Sequence, residues 1–154
     1  MVYQYVSFSI AVVFISFIVG MLVTAALKKT SFYDTTLSNL NFIRSDNVNK
    51  WVGVNMVKWI VKNTPFKFLN QKLQLAGKSA GTDLQEVRKA MTSAETDHLA
   101  GFLFVTVFVF TKLYQQEWLF ALTIMIANIL MNLHPSLLQQ QNKRRIDKIV
   151  KKRR

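Results

Sequence analysis

The stretch from Leu99 to Leu133 decides the fold: "LAGFLFVTVFVFTKLY", Leu99–Tyr114, then "QQE", then "WLFALTIMIANILMNL", Trp118–Leu133. Each apolar block is sixteen residues, roughly 24 Å as a helix, at the short end of what crosses a bilayer. A three-residue connection makes the two blocks antiparallel neighbours. They read as a helical hairpin, and Gly101 allows a close approach between helices.

Toward the N-terminus, "VSFSIAVVFISFIVGMLVTAAL", Val6–Leu27, carries no charge and is long enough to span. A cleaved signal peptide requires positive charge before the apolar run. Here "MVYQY" has none, and Lys28 and Lys29 follow the run, so the block reads as a retained anchor. The expected fold is an all-α integral membrane protein of 154 residues in a single membrane domain. Its spans are 6–27, 99–114 and 118–133, with an interfacial region at 28–97 and a basic tail at 134–154.

Charge sets the orientation. Of twenty Lys and Arg, eleven lie between the first two blocks and eight follow the third, leaving only Lys112 near the hairpin turn. The positive-inside rule then places the N-terminus and the QQE turn outside, with residues 28–97 and the tail in the cytoplasm. A net charge of +12 also suits nucleic-acid binding, but unbroken apolar blocks argue against it. The expected partners are membrane lipids with anionic headgroups, which "KKRR" would anchor, together with protein partners or a second copy. The absence of cysteine excludes disulfides and thiolate chemistry.

Between the spans, "NKWVGVNMVKWIVKNTPF", Asn49–Phe66, mixes Trp and Lys as interfacial segments do, although its valines also suit a strand or a soluble subdomain. Pro65 ends that element. After the turn-rich "GKSAGTD", the run from Thr82 reads as a helix capped by Thr82 or Asp83, with Leu84, Val87 and Met91 on one face. Nothing breaks it before Leu99.

The hairpin puts two polar groups at one level. Glu95 and His98 share a helical face at the mouth of the second span, and Asn132 and His134 end the third. Pro135 can open a new helix, with Gln139, Asn142 and Arg145 following at three-residue intervals and Asn128 one turn inside Asn132. Amides facing lipid are costly, so these should face protein or a wet cavity. Bland readings stay open beside this one: an exposed helical pair, interhelical hydrogen bonds, a solvated headgroup-binding face. Glu-x-x-His also serves di-iron bundles, but those need a second such pair, so no metal is expected.

The pattern Glu95-x-x-His98, then Asn132-x6-Gln139-x-x-Asn142-x-x-Arg145, resembles the glycosyl-4,4'-diaponeurosporenoate acyltransferases. These small membrane proteins of bacterial carotenoid synthesis acylate the glucose of a glycosylated carotenoid. "VKWIVKNTPF", with Trp59 and Pro65, is similar to a segment of that family, and the resemblance covers about residues 50–147. Where the family has Gln-Arg-Tyr-Asn-Arg, this chain has Gln139-Gln140-Gln141-Asn142-Lys143, and His134 stands beside the proline.

The resemblance implies a multi-pass protein of the bacterial cytoplasmic (inner) membrane. It would move an acyl group onto a hydroxyl of a lipid-linked or glycosylated acceptor at the cytoplasmic face. No cofactor is implied beyond an acyl donor such as a thioester. His98 would be the catalytic base, oriented by Glu95. Asn132 and Gln139 would donate to the acyl oxygen, while His134, Asn142 and Arg145, with Lys143 and Arg144, would bind substrate. The alternative is a non-enzymatic membrane subunit or a lipid-binding scaffold, for which polar convergence would be incidental.

Overall fold

The computed structural model describes residues 2–43, 45, 51, 53–54, 58–59, 63 and 84–153. Among them every regular element is helical. Helix α1 is Val2–Leu27, followed by a short helix α2, Ser31–Thr35, and a 3-10 turn, Leu37–Asn39. Helix α3 runs unbroken from Leu84 to Tyr114. Helix α4, Trp118–Asn128, continues through a π-helical turn, Ile129–Leu133, into α5, His134–Arg153. Most of the expected interfacial segment Asn49–Phe66, Pro65, the "GKSAGTD" turn and the caps at Thr82 and Asp83 lie outside the described residues.

Three helical stretches, Val2–Leu27, Leu84–Tyr114 and Trp118–Lys152, are long and apolar enough to cross a membrane. Their outer faces carry Phe14, Ile15, Ile18, Leu22, Leu103, Val107, Phe110, Leu119, Leu122 and Ile126, all exposed. An apolar belt of that extent is a liability in water but the expected surface in lipid. The chain is a membrane protein with the hairpin read from Leu99–Leu133. Its turn is closed by Gln116 at a left-handed φ of 61°. Lys112, the cation nearest that turn, bonds Gln115 at 2.9 Å, pairs with Glu117 at 3.2 Å and sits over the Phe120 ring.

Helix α1 packs beside α4, with its N-terminal end at the hairpin turn. There Tyr5 stacks on Phe120 with ring centroids 4.3 Å apart, and Phe8 meets Phe108 and Phe120 edge-on. Below these rings lies the core of Val12, Val13, Val105, Val109, Ala121 and Ile124. At the far end a second cluster joins α3 to α5, with Val87 and Met91 against Ile146 and with Leu84 and Val150 alongside. The face expected at Leu84, Val87 and Met91 is thus the packed one.

Both hairpin arms overrun the bilayer. Helix α3 has 31 residues, roughly 46 Å against a hydrocarbon core of about 30 Å. The overrun bears the polar residues, and the segment after α1 folds across it.

Pro135 does stand in the first turn of α5, but that helix continues from α4 through the π turn with no gap. The His134 N–H bonds the Ile129 carbonyl five residues back, making the wider π turn. Proline lacks an N–H, and its ring would strike the carbonyl four residues earlier in a regular helix. Opening the turn relieves that clash without ending the helix.

Candidate active site

At the level of Gly101 the three long helices meet closely. A Cβ on Gly20 would collide with the Asp97 carbonyl oxygen. One on Gly101 would stand 3.0 Å from Asn132 Oδ1 and 3.1 Å from the Ser16 carbonyl oxygen. Gly20 leaves no space for a side chain and Gly101 only a very tight one, and the crossings press Ser16, Asn132 and the α3 backbone together.

A directed hydrogen-bond chain fills that contact. Asn128 Nδ2 donates to the Phe102 carbonyl at 3.0 Å and to Thr106 Oγ1 at 3.3 Å. Asn132 Nδ2 donates to Asn128 Oδ1 at 2.9 Å and to Ser16 Oγ at 3.0 Å, while the Ser16 hydroxyl donates to the Val13 carbonyl. Both Asn128 and Asn132 are fully buried. His98, half-buried, lies beside Asn132 and meets the Phe17 ring edge-on at 5.8 Å.

One turn further out is a buried ion pair. Glu95 is fully enclosed, and its carboxylate accepts from Gln140 Nε2 at 2.8 Å and pairs with the Lys143 ammonium. Lys143 also donates to the Ser38 carbonyl at 3.1 Å, and Gln140 Oε1 accepts the Phe42 N–H at 2.9 Å. Arg144 donates to Asn41 Oδ1 at 2.7 Å. The strap of residues 37–43 is therefore stitched across α5 by that helix's own polar side chains. A buried pair repays its desolvation only when its remaining bonding capacity is met, and here Gln140 and Ser38 meet it.

The structure thus brings Glu95, His98 and Asn132 to one end of the bundle and redistributes their partners. Glu95 bonds Gln140 and Lys143 rather than orienting His98. Asn132 spends both amide hydrogens inside the protein, so neither is left for an acyl oxygen. The face expected at Gln139, Asn142 and Arg145 is displaced: Gln139 is buried, Asn142 half-buried and Arg145 exposed, while Gln140 and Lys143 point inward. The π turn supplies the reason. One extra residue in that turn rotates everything after it by about 100°. Lys143 and Arg144, expected among the substrate-binding residues, serve internal bonds. His134 is buried, with its Cε1 3.7 Å from where a Gly53 Cβ would lie. Ser16 and Phe17 carried no signal in the sequence, since a helix anchoring a chain needs neither.

Beside the ion pair, an open cavity of about 770 Å³ separates α2 and the strap from the first half of α3. Lys28, Tyr33, Ser38, Arg88, Ser93 and Asp97 are among the residues lining it. Burial, and then the carboxylates of Asp97, Asp34 and Glu95, push the Tyr33 phenol above its ordinary value and keep it neutral. Among the described residues no three His, Asp or Glu side chains gather as metal ligands.

Fold and site define a three-helix membrane protein whose polar centre is sealed between its spans at the end opposite the hairpin turn. The family model for glycosyl-4,4'-diaponeurosporenoate acyltransferase matches residues 29–152, and the chain belongs to that family. The match takes in the strap and the cavity wall as well as the hairpin, and begins just after α1. Neither a curated protein nor a solved structure matches the chain.

Proposed function

We propose that this protein is a membrane acyltransferase with His98 as its general base. It moves an acyl group from a thioester donor to a hydroxyl of a lipid-linked or glycosylated acceptor at the cytoplasmic face. The observation that carries the reading is the position of His98. It is an imidazole held among three helices at the edge of the apolar spans, next to a fixed amide network and one turn from a buried ion pair.

The imidazole takes the proton of the acceptor hydroxyl as that oxygen attacks the thioester carbonyl. It returns the proton to the departing thiolate, so the base is regenerated and the products are an ester and a free thiol. Glu95 and Lys143 hold α3 and α5 in register beneath it. His134, Gln139 and Asn142 stand on the α5 side, where substrate would pass, with Arg145 exposed to anionic groups. The polar cavity at Tyr33 and Asp97 gives a soluble donor its approach, and the apolar belt delivers the lipid acceptor.

The test is acyl transfer from a radiolabelled acyl thioester in membranes holding the wild type or His98→Ala. The variant should lose about 10²- to 10⁴-fold in rate while keeping its thermal stability. A folded His98→Ala protein with full activity would overturn the assignment.

A further inference from the structure

The amide chain ends on an acceptor. Asn128 uses both amide hydrogens on Phe102 and Thr106, and Asn132 uses both on Asn128 and Ser16. Neither amide can be turned over. Reversing Asn132 would set its oxygen against Asn128 Oδ1 and against Ser16 Oγ, whose proton is committed to the Val13 carbonyl. Reversing Asn128 would set oxygen against the Phe102 carbonyl. The network therefore has one polarity, and it leaves Asn132 Oδ1 as a buried acceptor with no donor among the described residues.

The neighbouring imidazole supplies the complement. Asn132 Oδ1 lies against Gly101, three residues after His98 and on the same face of α3. Phe17, adjacent to the Ser16 that holds Asn132, covers the ring. Of the two imidazole nitrogens, Nδ1 is sealed from solvent without a partner. A buried acceptor and a buried ring nitrogen side by side are each costly alone, by about 1–3 kcal/mol, and are both satisfied if the nitrogen carries the hydrogen.

We propose that Asn132 is a positioning residue for His98: its Oδ1 accepts the imidazole Nδ1–H, which leaves Nε2 as the basic nitrogen facing substrate. Which ring nitrogen is protonated is set by the bond the other side of the ring makes. Here an amide does this, so no second charge is buried in the span. The amide is itself aimed by Ser16, which makes α1 a wall of the site. The assignment rests on His98 as the base for its catalytic meaning, but the tautomer is independent of any activity.

The experiment is ¹⁵N NMR of protein labelled at histidine and held in lipid nanodiscs above the pH at which His98 becomes neutral. The chain has two histidines, so His98→Gln assigns the spectrum. Wild type should show a protonated Nδ1 and a bare Nε2 at His98. Asn132→Leu should lose that tautomer, and kcat should fall about tenfold or more with KM little changed. A wild-type ring with bare Nδ1, or with the two tautomers averaged, overturns the proposal even if His98→Ala is inactive. Full activity in His98→Ala with the Nδ1–H tautomer present would instead remove the base assignment and leave the hydrogen bond standing.

Discussion

Gly20 and the Asp97 carbonyl leave no room for even one methyl group between α1 and α3. Gly20→Ala should therefore push the helices apart and cost about 1–3 kcal/mol, measurable as a lower unfolding midpoint in mild detergent. An unchanged midpoint would mean that the crossing is looser than described. Glu95 and Lys143 predict a different pattern. Glu95→Gln leaves a buried ammonium without its counter-charge and should cost about 3–5 kcal/mol. Adding Lys143→Met should recover most of that loss, since the pair itself contributes little beyond mutual neutralisation. Failure of the double variant to recover would assign the pair more than this structural role.

At the scale of elements, the hairpin and the unbroken run into it were legible because apolar length and a three-residue turn leave little choice. The level of Glu95, His98 and Asn132 followed from the same geometry. Their pairing did not. A count of residues assumes a regular helix, and the π turn before Pro135 adds one residue that the count omits. This turns Gln140 and Lys143 onto Glu95, while Gln139 stays buried and Asn142 half-buried. The strap was equally hidden, because Ser38 and Phe42 act through backbone groups that every residue carries. Its neighbour α2 makes an alkaline prediction. The Tyr33 phenol is raised above the value of 10.0 it has when unfolded. Above that pH the unfolded chain binds fewer protons than the folded one, so stability is intact below it and falls as pH rises. Tyr33→Phe should flatten that decline relative to wild type in a pH series of thermal melts. Identical slopes would refute the buried phenol.

For the whole molecule, the two ends of the bundle differ in charge. The turn end holds Lys112 already bonded to Glu117, while the other end carries Lys28, Arg88 and Lys89 at the cavity and the basic tail. The proposed orientation follows from that asymmetry. Because the natural chain lacks cysteine, single replacements report without background. In intact cells an impermeant maleimide should label Gln116→Cys, and should label Lys152→Cys only after permeabilisation. The reverse pattern would invert the protein and move the site to the outer face.

The strap has a consequence in time. Phe42, Ser38 and Asn41 find their partners on α5 between 98 and 105 residues later in the chain. At a synthesis rate of about 5–20 residues per second, that separation is roughly 5–20 s. Through that interval α1 and the strap are made but have nothing to close upon, and Glu95, once made, still awaits its cation. A nascent chain is thus an assembled anchor without a centre. Whatever attends it must tolerate an unpaired carboxylate at the membrane surface until Lys143 emerges and the pocket is sewn shut.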